Sequence, residues 1–379
     1  MRIEVIHNIP SPYRIHLFTE MHRQLLDRNI EFHVNFMSQG DPGRPREWLN
    51  PKMPFPFTYW NDYGYGCHHF NPGMIRFLLK SKPEIVVVGS VFDTFTSMVV
   101  CHLLPSSIKC AWVEGQTKTP GRMSGLIGWI KRDLLSHCLY VAVPGIEGIR
   151  YIEMHQGLTR RKLASPVLLP NIVDETRFRP RELWDSCEIQ SVRQQLLKNE
   201  CDKKICLVPA RLEPVKGVLP FVRNLDEKLL KGWKVIIIGN GSEHDVIQAT
   251  IDKANLSSVI ELRDFVSYSE MPKYYAAADL FLLPSVRDQN PLSVVEALHT
   301  GLPVAITDQA GNVDEAVQDG VNGWRIPVLD SQGYKKCLQR VFSSNSQELK
   351  CMGKNSLVNH ASFWNTQKCV RHFLDSIIG

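Results

Sequence analysis

The sequence predicts two doubly wound α/β domains, and three observations carry the prediction. At 379 residues the chain is longer than one ordinary core absorbs, so two domains are expected. Short runs rich in Val, Ile and Leu alternate with helical patterns from end to end. Most of those runs are continuously apolar, the pattern of parallel strands covered on both faces.

The expected strands of the first half are 3–6, 31–36, 85–88, 109–113, 139–143 and 167–169. Those of the second half are 205–208, 235–238, 259–262, 280–283, 304–306 and 324–326. Between them, residues 169–180 carry two prolines, an asparagine and a polar stretch that break the rhythm. The expected domains are therefore 1–172 and 173–360. Residues 41–66, rich in Pro, Gly and aromatics, do not read as regular helix. A plain surface loop and a functional lid or wall fit them equally well. Near the end, Phe363, Val370, Phe373, Leu374 and Ile377 form a helical apolar stripe, which predicts a final helix over 361–379.

Bulk composition excludes several classes. A hydrophobic content of 44% and a charged content of 22% are those of a globular protein in water. The net charge of +5 suits a polyanionic small ligand or an anionic membrane surface, and falls short of a nucleic-acid binder. The 10 cysteines are scattered without a C-x-x-C pair. Several lie in apolar runs (Cys101, Cys110, Cys138, Cys206), which predicts reduced, buried thiols. The chain enters a strand at Arg2 without the pattern of a secretory leader, and no apolar run is long enough to span a bilayer. The expected location is the cytoplasm, free or peripheral at the inner membrane face.

Two stretches carry the chemistry. Residues 207–217 read as a strand followed by a loop bearing Arg211 and Lys216. Two cations on one loop repel unless an anion lies between them, and a bidentate arginine beside a point-charge lysine is a natural diphosphate clamp. Residues 288–296 read as a loop and a helix start. Asn290 suits an N-cap, and Pro291 suits the first helical position, where its missing N–H loses nothing. The helix continues through Leu292, Ser293, Val295 and Leu298, and stops before Gly301. Its free N–H groups would face anions at the carboxyl end of strand 280–283, where open α/β domains bind ligands. Glu296 can accept from vicinal hydroxyls, and Asp288 from a second polyol. Together these groups describe a pocket for a diphosphate joined to hydroxylated groups, which is a nucleotide-sugar. Taken singly, each also reads as an ordinary surface charge.

Weaker signals bound the reading. Gly239 opens a Gly-Asn-Gly turn after a strand, but the third spaced glycine of a dinucleotide site is missing, which disfavours hydride transfer. Residues 307–312 form another strand-end loop near the expected pocket. There is no P-loop, no zinc spacing and no Asp-x-Asp pair, so a metal-independent reaction without a cofactor is expected, with the nucleotide-diphosphate sugar as donor substrate.

With these residues in view, the chain resembles the retaining GT-B glycosyltransferases of family 4 (glycosyl transferases group 1). Ala210-Arg211-Leu212 with Lys216-Gly217 is similar to the family's Gly-Arg-Leu and Lys-Gly loop. Ala278-Asp279 with Pro284-Ser285, Glu296-Ala297-Leu298 with Gly301-Leu302-Pro303-Val304, and Pro170-Asn171-Ile172-Val173-Asp174 with Phe178 match three further motifs in order. The resemblance implies two Rossmann-like domains facing a central cleft, closing to exclude water. It implies that Arg211 and Lys216 hold the diphosphate and Glu296 the ribose. Asn290, Pro291, Leu292 and Ser293 would meet phosphate and sugar, and Arg263, Phe265 and Val266 the base. Ser11 and Gly239 would lie near the donor phosphates. The last helix would cross back onto the first domain.

Two departures stand out. The first of the family's paired glutamates is Asp288 here, which marks donor choice or weakened activity. Where relatives place a histidine after the fourth strand, this chain has Glu114, read either as an acceptor or charge-stabilising group or as a plain loop cap. The implied reaction moves a hexosyl unit to an acceptor hydroxyl of a glycan, a lipid-linked glycan or a small molecule, with retention. No carboxylate is placed as a covalent nucleophile. Two alternatives stay open, a nucleotide-sugar epimerase and a partner subunit that kept the fold without the activity. Residues 122–132 mix basic and apolar side chains as interfacial helices do, which also fits an ordinary packed helix.

Overall fold

The computed structural model describes all residues except 41–50, 62, 66–67, 105–106, 119–122, 199 and 201. The chain divides into two compact units, unit 1 (Met1–Ile172 with Asn365–Gly379) and unit 2 (Val173–Trp364).

Unit 1 holds strands β1 (Arg2–His7), β2 (Glu31–Phe36), β3 (Phe57–Tyr59), β4 (Tyr63–Tyr65), β5 (His68–Phe70), β6 (Ile85–Val88), β7 (Ile108–Trp112), β8 (Tyr140–Val143) and β9 (Ser165–Leu168). Seven of them form one sheet in the order β3-β2-β1-β6-β7-β8-β9, while β4 and β5 pair separately. Every pairing in the large sheet is parallel. Its chain order reverses between β1 and β6, the switch point where open α/β sheets receive ligands. The continuous apolar runs explain the pattern: Ile85–Val88 is buried at all four residues, because helices cover both faces. Helices α1 (Pro12–Leu26), α2 (Pro72–Ser81), α3 (Phe95–Leu103), α4 (Gly125–Ser136) and α5 (Ile146–Gly157) follow the strands.

Unit 2 repeats the plan with β10 (Lys204–Pro209), β11 (Trp233–Ile238), β12 (Ile260–Arg263), β13 (Leu280–Leu283), β14 (Val304–Thr307) and β15 (Gly323–Ile326). The sheet runs β12-β11-β10-β13-β14-β15, all parallel, with its switch point between β10 and β13. Its helices are α6 (Ser186–Leu197), α7 (Val218–Arg223), α8 (His244–Lys253), α9 (Met271–Ala277), α10 (Leu292–Thr300), α11 (Val313–Ala316), α12 (Ser331–Ser343) and α13 (Ser346–Phe363).

Two regions depart from the sequence reading. The stretch 41–66 is not uniformly irregular. β3 adds to the sheet edge beside β2, and β4 starts a small hairpin, because Phe57, Tyr59 and Tyr63 carry the aromatic character that strands favour. Its residues 41–50, 62 and 66 lie outside the described set. The single final helix is two helices. α13 ends at Phe363, and α14 (Thr366–Ile378) restarts behind Asn365, whose side chain accepts from Lys368 N at 3.0 Å. The expected stripe is therefore split. Phe363 packs in the core of unit 2, whereas Val370, Phe373, Leu374 and Ile377 pack in the core of unit 1, where α14 lies against α1.

Candidate functional site

In unit 2 the loops at the carboxyl edge of the sheet are fastened by backbone before any side chain acts. Ala210 N donates to Ile238 O at 3.0 Å, and Leu212 N to Asn240 O at 2.9 Å. Gly239, at φ +149°, makes this possible, since a Cβ there would lie 1.9 Å from Ala210 O. Gly217, at φ +65°, is held likewise, its Cβ position 2.2 Å from Pro284 O. These glycines bring the loops after β10, β11 and β13 into contact.

The loops enclose a cavity of about 420 Å³, within the range of small-molecule sites. Of the residues expected there, Arg211, Gly239, Phe265, Val266, Ser293 and Glu296 line it. Arg211 is exposed and is the one cation among the described lining residues. Phe265, 57% exposed, offers an aromatic face at the mouth.

Glu296 is not a plain surface carboxylate. Burial pushes its pKa up to about 7, opposed by a hydrogen bond from Tyr275 Oη to Oε2 at 2.6 Å. Tyr275 is itself fully buried, and burial followed by the Glu296 charge holds its hydroxyl well above the usual range. The phenol therefore keeps its proton and stays a donor. Oε1 has no hydrogen-bond donor among the described residues.

The remaining expected residues are arranged differently. α10 begins at Leu292, not Pro291. Pro291 is the N-cap, with an extended ψ of 114°, and its carbonyl accepts from Asn312 Nδ2 at 3.1 Å. Asn290 is thus displaced from the capping position, and its Oδ1 is buried without a partner among the described residues. Leu292 packs against the core. The pair of loop cations reduces to one, because Lys216 Nζ donates to Asp288 Oδ2 and both side chains are largely buried. The Asp288 carbonyl accepts from Gly311 N at 2.9 Å. Arg263 is not among the residues that line the cavity, and it pairs with Glu261, Nε lying 3.1 Å from Oε1.

Unit 1 places a second group at its own switch point. Glu114 lies just past β7 and pairs with Arg14 on the first turns of α1. Arg14 is 3% exposed, its guanidinium stacked 4.0 Å from the Trp112 ring centre. Its Nε and Nη1 have no hydrogen-bond partner among the described residues, nor does the buried Oγ of Ser11 at the start of α1. Beside them, burial and then the Arg14 charge push the His7 pKa down to about 3, so this ring is neutral.

Sequence reasoning missed Arg14 and Tyr275 as partners of the two glutamates. A signal for Arg14 was present, since Arg14, Leu17, Phe18 and Met21 share the buried stripe of α1. Tyr275 is 21 residues from Glu296, and no local pattern joins them.

Residues 125–132 form most of α4. Leu126 is 72% exposed and Trp129 54%. Arg122, expected in the same segment, lies outside the described residues. Among the described residues no helix is long and apolar enough to cross a membrane.

Residues 188–357 match the family described as Glycosyl transferases group 1. The chain is 32% identical over 143 residues to the alpha-monoglucosyldiacylglycerol synthase of Acholeplasma laidlawii, covering 37% of this chain and 35% of that protein. It is 25% identical over 216 residues to the UDP-Gal:alpha-D-GlcNAc-diphosphoundecaprenol alpha-1,3-galactosyltransferase of Escherichia coli, covering 56% and 53%. The matched stretch spans about a third of the length of the first curated relatives, at 35%, 28% and 32%. Among solved structures, Anabaena HepE in complex with UDP and glucose has a TM-score of 0.72 at 15% identity, covering 100% of this chain and 99% of that one. Sucrose-phosphate synthase from Thermosynechococcus elongatus has a TM-score of 0.73 at 13% identity, covering 99% and 98%.

Proposed function

The chain carries a glycosyl transferases group 1 region on a GT-B fold, and we propose that it transfers a hexosyl unit from a nucleotide-diphosphate sugar to an acceptor hydroxyl, with retention and without a metal ion. The observation that carries this reading is the cavity of unit 2, where Arg211, Ser293 and Glu296 converge beside the carboxyl ends of β10 and β11. In this reading Arg211 takes the diphosphate, whose charge grows as the sugar departs. The first turn of α10 at Ser293 receives the same anion. Glu296 accepts the ribose hydroxyls through Oε1, while Tyr275 fixes Oε2. Phe265 gives the base an apolar face. Lys216 holds Asp288 in position, and Asp288 serves the transferred sugar.

Ser11, Arg14 and Glu114 form a polar cluster suited to the acceptor side. Glu114, 41% exposed at its side chain, can accept from an incoming hydroxyl, and its ion pair with Arg14 aims it. The metal-independent form of the reading rests on the absence of an Asp-x-Asp sequence.

The relatives' names point the finer reading. One is a diacylglycerol glucoside synthase, and another acts on a diphosphoundecaprenol-linked sugar with UDP-Gal. We therefore take a lipid-linked glycan as acceptor, UDP as the first base to test, and the cytoplasmic membrane face as the place of action. The exposed Leu126 and Trp129 of α4 support peripheral contact with an anionic membrane.

The test is a panel of UDP-, GDP-, ADP- and dTDP-sugars, each with and without a lipid-linked acceptor. Product with one donor, only when acceptor is present and with EDTA added, is the expected result. Isomerised donor formed without acceptor would favour an epimerase, and absence of donor binding by calorimetry an inactive partner.

A further inference from the structure

His102, Asp133 and His137 form a cluster apart from the groups assigned to donor and acceptor above. His102 ends the last turn of α3, Asp133 lies in α4 and His137 caps it. One ligand atom from each lies within 4.8 Å of the others. The proton count at these rings is informative. His102 Nδ1 lies 2.8 Å from Met98 O, and His137 Nδ1 lies 2.8 Å from Asp133 O. A carbonyl oxygen only accepts, so each Nδ1 carries its ring's proton, and in the neutral ring Nε2 is a bare lone pair. Yet His102 Nε2 lies 3.0 Å from Asp133 Oδ2, which also only accepts. Either a proton or a metal ion between them satisfies both atoms, and only a metal ion also draws in the Nε2 lone pair of His137. The His137 ring centre lies 4.4 Å from that of His102.

We propose that His102, Asp133 and His137 bind a divalent transition-metal ion, of the Zn²⁺ class, that ties α3 to α4. One ion accepts both Nε2 lone pairs and the carboxylate, and water completes its coordination. Two imidazoles and one carboxylate are a borderline ligand set, suited to Zn²⁺, Ni²⁺ or Cu²⁺ and poor for Mg²⁺ or Ca²⁺. Both histidines present the arrangement metal ligands use, with the far ring nitrogen donating to a backbone carbonyl. Arg161 Nη1 donates to Asp133 Oδ1 at 2.8 Å, which orients the carboxylate so that Oδ2 turns toward His102. Tetrahedral coordination at about 2.0–2.1 Å requires ligand atoms roughly 3.4 Å apart. Both imidazoles are exposed and can close the remaining gap by side-chain rotation. One residue inward on the same seam, the buried thiols of Cys101 and Cys138 stand 3.8 Å apart.

The experiment is calorimetric and thermal-shift titration of the EDTA-stripped full chain with ZnCl2, and with MgCl2 as control. Expected are one Zn²⁺ per chain, a raised Tm with Zn²⁺ and none with Mg²⁺. Exchange of either histidine (His102→Gln or His137→Gln) should weaken binding beyond the roughly 10- to 100-fold cost of losing a supporting partner. Both side chains are exposed, and equal melting of the metal-free proteins verifies that the variants fold. Absence of a Zn²⁺ effect in the wild-type chain overturns the proposal. So does uptake that survives the double exchange, which would assign the ion to thiols, or an equal response to Mg²⁺.

Discussion

Arg211 and Arg14 each follow a strand at a sheet switch point, β10 in unit 2 and β1 in unit 1, and they meet opposite surroundings. Arg211 stands exposed at the rim of a cavity, on a loop held by backbone hydrogen bonds. Arg14 is buried against Trp112, paired with Glu114, with two nitrogens unpartnered among the described residues. A hydrated guanidinium loses little on folding and keeps its charge available for a mobile anion. A buried one pays its desolvation in advance and then serves mainly to orient a neighbour. The carboxylates divide the same way. Glu296 has no ion-pair partner among the described residues and is pushed toward neutrality, whereas Asp288 is matched by Lys216.

The sharpest test of this contrast is Arg211→Ala. Loss of a charge-assisted contact to developing negative charge should lower turnover roughly 100-fold while the melting curve is unchanged. Wild-type turnover at saturating donor would remove Arg211 from the reaction.

Glu296→Gln should act on binding and stability in opposite directions. Donor affinity should fall about tenfold, since an amide accepts hydroxyl hydrogen bonds less strongly than a carboxylate. In the wild-type chain the folded pKa of about 7 lies above the ordinary 4.5. The folded state therefore retains the proton longer, and stability is lost as pH rises from about 4.5 through 7. The glutamine variant lacks this loss. It should be more stable than wild type at pH 8 by roughly 1–3 kcal/mol, with little difference below pH 4.5. Wild-type donor affinity should improve as pH rises through 7, with proton release on binding. A pH-independent difference in urea unfolding would contradict the buried carboxylate.

Asp288→Asn leaves Lys216 largely buried beside a neutral group, and should lower unfolding stability by about 1–2 kcal/mol. Asp288→Glu, which keeps the charge, should lower it less. If the two variants unfold alike, the ion pair is not what holds Asp288.

Arg14→Met should change stability by no more than about 1 kcal/mol, because the lost pairing is offset by relief of a buried charge. Its effect should instead appear as a raised KM for acceptor with an unchanged KM for donor. A donor effect of equal size would assign Arg14 to the phosphates.

Much of the scaffold was legible in the sequence. Residues 31–36, 85–88 and 280–283 are strands with the same bounds in the structure, and α10 stops at Gly301, whose φ of 82° suits glycine. These features depend on local rules, apolar continuity and backbone freedom, and local rules are written in neighbouring residues. Aromatic pieces within 41–66 were less legible, because three-residue strands such as β3 are too short to show a period. The start of α10 was misplaced by one residue, since the hydrogen bond that holds the Pro291 carbonyl comes from Asn312.

By itself, then, the sequence determined two parallel α/β sheets, the glycine-bearing loops at their carboxyl edges, and the identities of Arg211, Ser293 and Glu296. Only the tertiary structure decided which charges are spent on one another. Lys216 and Asp288 are 72 residues apart, Arg14 and Glu114 are 100, and Tyr275 and Glu296 are 21. Electrostatic partnership depends on distance in space and on the exclusion of water, and neither quantity is encoded in sequence spacing.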